Sequence, residues 1–243
     1  MGEAVGAMLA SAVAVAISPL PLITVILILT APHTPAHRAD RTDAGPARPG
    51  GHATPANAFA FTAGWLLGLA APTALVLVAG TALDRAQTTP TWSSWLKLAL
   101  GALLLLSAAR QWHDRPRAGH VTPPPAWLRA VDRFTAARSV GLALVLTAGR
   151  PRTLLPVVGG AASIAATSTG AGAEALAAAL LVVIGSLCTL LPLAVHLVRG
   201  GARSARVLGE WRAWTATHQA AILTTVPVVL GAGYLGDAVS VLT

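Results

Sequence analysis

Six long apolar blocks constrain the fold of this chain more than any other feature of its sequence. Runs of about 20 apolar residues are long enough to cross the hydrocarbon core of a bilayer as helices. Only 11% of the residues are charged, whereas soluble domains carry about a quarter. The sequence therefore predicts an all-α integral membrane protein with six transmembrane helices. The blocks cover roughly residues 4–30, 57–83, 92–111, 139–167, 172–198 and 215–242.

The first block begins at Ala4, with no positively charged residue before it. It is also far longer than the apolar core of a signal peptide, so we expect it to be retained as a first transmembrane helix. The single cysteine, Cys188, excludes a disulfide within the chain and any site built from several cysteines.

The basic residues predict the orientation of the helices. Thirteen arginines fall in or beside the first, third and fifth connections between blocks, and only Arg85 and Lys97 fall on the opposite side. Because short loops rich in Lys and Arg stay in the cytoplasm, we expect a multi-pass protein with both termini outside. The net charge of +8 then reflects these loops and indicates no nucleic-acid partner. The thirteen are Arg38, Arg41, Arg48, Arg110, Arg115, Arg117, Arg129, Arg133, Arg138, Arg199, Arg203, Arg206 and Arg212.

Six helices divide into two halves of three. We expect a first three-helix repeat over 1–111, a cytoplasmic linker over 112–138 and a second three-helix repeat over 139–243. An odd number of spans separates the halves, so the repeats would be inverted. Pro19 and Pro21 interrupt the first block, and Pro151 and Pro156 interrupt the fourth. Proline breaks in corresponding segments of two halves indicate the binding site of a transporter.

The stretch "GRPRTLLP" places Arg150 and Arg152 about 12 residues into the fourth block, or about 18 Å along a helix. An arginine at the centre of a membrane helix costs at least ~2.5–3.5 kcal/mol. An acidic side chain, lipid phosphate with water, or an anionic substrate could stabilise the two arginines. All nine acidic residues lie near block ends or in connections, which favours an anion or a wet cavity.

We therefore expect an anionic substrate at this break. Pro151 suits the first turn of a new helix, whose free N–H groups favour anions, and guanidinium matches phosphate, sulfate or carboxylate. The alternative is a kinked helix near a re-entrant cytoplasmic mouth, where the arginines contact only lipid headgroups. Ser18 and Thr24 could line the same cavity or only bond carbonyls freed by the prolines. The candidate substrate-binding residues are Ser18, Pro19, Pro21, Arg150, Pro151, Arg152 and Thr153.

The other residues show no pattern typical of catalysis or metal binding. His196 and His218 lie near the ends of the fifth and sixth blocks, as interfacial residues or as a proton relay. We find no catalytic constellation, no metal-ligand spacing and no cofactor or nucleotide motif. The sequence predicts no enzyme and no cofactor. The expected partners are membrane lipids and a small-molecule or lipid substrate, and a homo-oligomer is compatible with the sequence.

Three stretches resemble the GAP (peptidoglycolipid addressing) family of actinobacterial membrane proteins, which is similar to the lysine-exporter (LysE) superfamily of six-helix transporters. They are "MGEAVGAMLASAVAVAISPLPLITVILIL", "AWLRAVDRFTAARSVGLALVLTAGRPRTLLPVVGGAASIA" and "WRAWTATHQAAILTTVPVVLGAGYLGDAV". The family usually reads Asn-Pro-Lys where this chain has Arg150-Pro151-Arg152. The resemblance implies export of a lipid or small metabolite across an actinobacterial plasma membrane.

Together these features predict an exporter of an anionic metabolite or lipid. One alternative is an accessory membrane subunit of a larger lipid-export system. Another is an intramembrane enzyme, which would need acids or a nucleophile at depth, and the placement of the acids argues against it.

Overall fold

The computed structural model describes residues 2–30, 55–85, 92–113, 135–167 and 170–242. All regular secondary structure in these ranges is helical, with no strand among them. Residues 31–54 of the first connection and 114–134 of the predicted linker 112–138 lie outside the described residues. Seven of the arginines used to predict the orientation lie in these segments: Arg38, Arg41, Arg48, Arg115, Arg117, Arg129 and Arg133. The helices are α1 (Gly2–Ala16), α2 (Pro19–Thr30), α3 (Pro55–Arg85), α4 (Trp92–His113), α5 (Ala136–Ala148), α6 (Pro151–Ala165), α7 (Ala171–Gly185), α8 (Leu187–Arg199) and α9 (Gly201–Leu242).

Several of these helices are long and apolar enough to cross a membrane. Among the described residues, Pro55–Ala82 and Ala221–Val239 qualify alone by length and composition. Two bent pairs bring the number to four: Met8–Ala16 with Pro19–Thr30, bent by 42°, and Ala171–Gly185 with Leu187–Arg199, bent by 61°. These helices support the predicted all-helical, membrane-embedded class. The count of six spans, the inverted repeat and the division of the chain at 111 and 139 stay predictions.

The first and fourth blocks are each interrupted where their prolines lie. α1 ends at Ala16 and α2 begins with Pro19; α5 ends at Ala148 and α6 begins with Pro151. Proline has no N–H to donate and has a φ already suited to the first helical position. It therefore both ends the preceding helix and starts the next one.

Two features of the second half differ from the predicted boundaries. The fifth block is broken at Ser186, whose hydroxyl donates to the carbonyl oxygen of Val182 at 2.7 Å. The expected connection 199–214 is helical from Gly201 onward. Gly200 and Gly201 have φ values of 57° and 44°, a left-handed backbone that glycine adopts without strain. These two glycines turn the chain from α8 into α9.

Glycines set the close helix contacts of the bundle. A methyl group on Gly64 would lie 2.9 Å from the Cα of Val140, and one on Gly68 would overlap the side chain of Thr147. α3 and α5 therefore touch backbone to backbone, as small residues allow between membrane helices. The second contact lies closer to the C-terminal end of both helices than the first, so α3 and α5 run parallel.

α1 lies between α6 and α7. A methyl group on Gly160 of α6 would lie 2.8 Å from the Cβ of Ser11, and one on Gly185 would lie 3.3 Å from Cγ1 of Val15. Ser18, later in α1's block, lines a cavity with Thr153 of α6. α1 is therefore antiparallel to α6. α1 is parallel to α7. Leu181 of α7 and Ser11 of α1 both approach Gly160, and four residues further along each helix Gly185 approaches Val15.

α4 and α9 form an antiparallel pair. A methyl group on Gly101 would lie 3.0 Å from the carbonyl oxygen of Gly231. Nearer the start of α4, Nζ of Lys97 lies 3.3 Å from Oδ2 of Asp237. Arg110, near the end of α4, is thus at the opposite end of the bundle from this ion pair.

Candidate functional site

The two proline breaks face one cavity. It has a volume of about 300 Å³ and lies where α1 passes into α2 and α5 passes into α6. All seven residues expected from the sequence to bind substrate line it: Ser18, Pro19, Pro21, Arg150, Pro151, Arg152 and Thr153. The structure thus brings together side chains separated by more than a hundred positions in sequence. Leu20, Trp65, Ser107, Leu146 and Leu223 complete the lining.

A hydrogen-bonded cluster beside the cavity holds α1, α6 and α9 together. The hydroxyl of Ser11 lies 2.5 Å from that of Tyr234, and Tyr234 also donates to the carbonyl oxygen of Pro156 at 3.3 Å. The Tyr234 side chain occupies the space left by Gly159, where an added methyl group would overlap its ring. This packing fixes the start of α6 next to the end of α1.

Arg152 is partly buried and reaches across the cavity to α4. Its Nη2 donates a hydrogen bond to Oε1 of Gln111. The acceptor is a neutral amide, so the contact orients the guanidinium without cancelling its charge. The remaining guanidinium N–H groups can still serve a second partner, because arginine carries five donors.

Arg150 occupies the N-cap position of α6. Its backbone is extended, with φ −118° and ψ 111°, and its side chain makes no capping hydrogen bond. The only ion pair in the described part of the chain is the one between Lys97 and Asp237. No described carboxylate therefore neutralises Arg150 or Arg152. The cavity holds two positive charges in a mostly apolar surrounding.

Trp65 is a cavity residue that the sequence did not single out. Its side chain is 0% exposed, and its Nε1 has no hydrogen-bond partner among the described residues. A buried N–H without a partner costs about 1–3 kcal/mol, and Trp65 lines the same cavity as Arg150 and Arg152. A signal was present: Trp65 lies inside the second block, whereas Trp92, Trp95, Trp112, Trp211 and Trp214 lie near block ends.

Other residues considered from the sequence lie elsewhere. Thr24 is buried and donates to the carbonyl oxygen of Leu20 at 2.8 Å, so it satisfies the backbone and does not line the cavity. His218 stacks on Trp214 with ring centroids 4.5 Å apart. Neither His218 nor His196 belongs to the cavity lining. Within the described ranges, no group of three His, Cys, Asp or Glu side chains could hold a metal ion.

Comparison with known proteins gives a family for most of the chain. A family model described as "Sap, sulfolipid-1-addressing protein" matches residues 52–240. No curated protein and no solved structure matches the chain. The matched range includes Trp65 and Arg150 to Thr153, while Ser18, Pro19 and Pro21 precede it.

Proposed function

We propose that this chain, which belongs to the Sap, sulfolipid-1-addressing protein family, exports an anionic lipid across the plasma membrane. The observation that carries the proposal is the pair Arg150 and Arg152, which line one cavity with no described carboxylate to neutralise them. The family description names a sulfolipid, and a sulfate or sulfonate headgroup is an anion. Guanidinium binds such an oxyanion through paired hydrogen bonds.

The remaining lining suits an oxyanion of modest size. The hydroxyls of Ser18 and Thr153 and the indole N–H of Trp65 add neutral donors beside the two guanidiniums. An oxyanion with three terminal oxygens would accept from several of these donors at once. Neutral donors also favour the anion over water without adding further charge to the cavity.

The helix contacts support an inverted three-plus-three repeat as the transport scaffold. α1 of the first half runs parallel to α7 of the second half. In the same way, α5 of the second half runs parallel to α3 of the first half. Glycine contacts mediate both pairs, at Gly185 and at Gly64. A two-fold axis in the membrane plane would exchange these two pairs and would superpose the broken first segment on the broken fourth. Such repeats alternate access by rocking one bundle against the other around a fixed site.

The position of the cavity favours an inward-facing conformation. Arg152 contacts Gln111, which follows Arg110 near the end of α4. With the arginine-rich connections in the cytoplasm, this end of the bundle is the inner one. The headgroup would then enter from the cytoplasmic leaflet and leave on the opposite side.

An accessory role in a larger lipid-export system is the second candidate, because the family description names addressing and not transport. An intramembrane enzyme is less well supported. The described lining of the cavity contains hydroxyl groups but no Asp, Glu, His or Cys to act as a base.

Transport by the isolated protein tests the proposal. Purified protein would be placed in liposomes with an NBD-labelled sulfated glycolipid, and its movement between leaflets would be followed by dithionite quenching. We expect faster movement of this lipid than in protein-free liposomes, with no effect on NBD-labelled phosphatidylcholine. Equal rates with and without protein would refute an autonomous exporter and favour the accessory role.

A further inference from the structure

The arginine cavity cannot hold a whole lipid. Its volume of about 300 Å³ is at the lower end of the range for small-molecule pockets. That space fits a sulfate with an adjoining polar group. The acyl chains of a substrate must therefore lie elsewhere while the headgroup is bound.

A narrow apolar neck leads out of the cavity. It shares Ser18, Pro19, Arg152, Thr153 and Leu223 with the cavity lining. Its own volume is about 30 Å³, a tenth of the volume of the cavity. The rest of its lining is apolar: Ala14, Val15, Ile17, Leu104, Pro156, Ile222, Val226, Pro227 and Leu230.

The neck opens on a groove between α1 and α9. The groove has a volume of about 500 Å³ and shares Ala14, Ile17, Val226 and Leu230 with the neck. Its outer walls face the surroundings of the bundle: Val13 is 42% and Val229 is 64% exposed. The lining contains one polar side chain, that of Thr225.

We propose that the groove between α1 and α9 binds an acyl chain of the anionic lipid whose headgroup occupies the arginine cavity. This inference rests on the proposed function. The lining residues that the neck shares with the arginine cavity and with the groove carry it: charge at one end and apolar walls at the other match an amphiphile. The lipid would then enter and leave sideways, from the bilayer, without passing its chains through the centre of the bundle.

α9 has a structural means of widening the neck. Pro227 lies inside this helix and cannot donate to the carbonyl of Leu223, four residues earlier, which weakens the helix at that point. Both residues line the neck. A bend of α9 here, with Tyr234 still bonded to Ser11 of α1, would move the part of the helix before Pro227 away from α1 and admit a methylene chain.

A second groove on α9 serves as an internal comparison. It lies between α4 and α9, has a volume of about 670 Å³ and is also mostly apolar. It shares no lining residue with the arginine cavity or the neck. A lipid that binds only through apolar contact would favour this larger groove, whereas an amphiphile held by Arg152 must use the groove at α1.

Photolabelling of the full chain in phosphatidylcholine nanodiscs tests the inference. The probe is a long-chain alkyl sulfate with a diazirine in its chain, and labelled peptides are identified by mass spectrometry. We expect labelling to concentrate on α1 and α9 at the groove, with loss of this enrichment in Arg152→Ala. The alkyl alcohol of equal chain length should favour the larger groove between α4 and α9.

Two matched variants test the route. Ala10 lines the groove at α1 and Ala109 lines the groove at α4, and both side chains are exposed. Ala10→Phe should reduce long-chain labelling and lipid movement, while Ala109→Phe should leave both at the wild-type level. Competition by methyl sulfate, which has the headgroup but no long chain, should displace the probe from wild type and from Ala109→Phe.

Several results would overturn the inference: even labelling of the two grooves, labelling that survives Arg152→Ala, or equal effects of Ala10→Phe and Ala109→Phe. Each would assign the groove to bulk membrane lipid. If methyl sulfate still displaces the probe in that case, the arginine site and the proposed function remain. Failure of methyl sulfate to compete, together with no transport by wild type, would instead refute the proposed function.

Discussion

The guanidinium of Arg152 donates a hydrogen bond to the side-chain oxygen of Gln111, 41 positions earlier in the chain. This contact joins the start of α6 to the end of α4 across the cavity. It gives the arginine a fixed direction, and because its acceptor is a neutral amide it does not cancel the charge of the guanidinium. The neighbouring Arg110 is exposed, so two arginines at the same end of the bundle lie in different surroundings.

That difference makes Arg110 a matched control for Arg152. We expect Arg152→Ala to abolish sulfated-lipid movement in liposomes, because it removes the group that binds the anion. Arg152→Lys should retain part of the rate, since lysine keeps the charge but loses the paired geometry. Arg110→Ala should transport normally. Equal, small effects of Arg152→Ala and Arg110→Ala, normalised to inserted protein, would mean that both arginines only contact headgroups.

Replacing Arg150 with asparagine should separate stability from binding. Arg150 is an N-cap without a capping side-chain bond, and asparagine is a preferred N-cap residue. We expect Arg150→Asn to raise the unfolding free energy by about 1 kcal/mol and to weaken sulfate binding. Thermal unfolding in detergent and probe competition measure the two effects. A lower melting temperature would contradict the cap argument, and unchanged affinity would exclude Arg150 from the site.

Trp65→Phe tests whether the unpaired indole N–H serves the ligand. The substitution keeps an aromatic ring in the same buried position and removes the donor. Removal of a buried donor that has no partner among the described residues offsets the packing lost with the larger ring, so we expect little change in thermal stability of the empty protein. Sulfate affinity should fall by about 1 kcal/mol, the typical worth of one hydrogen bond. A large loss of stability with unchanged affinity would assign Trp65 to packing alone.

Gly64→Ala should destabilise the bundle by about 1–3 kcal/mol, as overpacking typically does. Its added methyl group would lie 2.9 Å from the backbone of Val140, and backbone cannot rotate away as a side chain can. Gly141→Ala is the control on α5, because nothing lies within 4 Å of its methyl group. That change should be neutral or stabilising, since alanine favours helix over glycine. Similar melting temperatures for the two variants would contradict the close approach of α3 and α5.

The topology can be tested with reporter fusions. We expect fusions at Gly45, Pro124 and Ala202 to report the cytoplasm, because the arginines cluster in those connections. Fusions at the C-terminus should report the outside. A cytoplasmic C-terminus would contradict the six-span model with outward termini.

The breaks of the first and fourth blocks could be read from sequence because proline acts locally. A missing N–H and a fixed φ end a helix wherever they occur, and Pro19 and Pro151 mark the helix starts to the residue. The meeting of the two breaks in one cavity followed from the idea of equivalent halves. The hypothesis of two equivalent halves, which stays a prediction, thus pointed to a long-range contact that local pattern could not.

The break at Ser186 could not be read in the same way. No proline stands at that position, and Gly185 approaches Val15 and Leu69, a contact that exists only in the folded bundle. The start of α9 at Gly201, before the predicted block at 215, also depends on contacts within the folded bundle. Ser204, Leu208 and Thr215 are buried at helical spacing, but the many arginines around them resemble a loop. Trp65 was missed because an aromatic residue in an apolar block is ordinarily core.

Arg150 and Arg152, which no described carboxylate neutralises, make the proposed exporter sensitive to membrane voltage. An empty site carries two positive charges, and a site holding a singly charged headgroup carries one. A potential that is negative inside favours opening of the empty site toward the cytoplasm, by up to about 2.3 kcal/mol per charge for each 100 mV. It opposes outward opening of the loaded site only half as strongly. The resting potential would therefore return the emptied protein to its inward-facing form, ready for the next lipid.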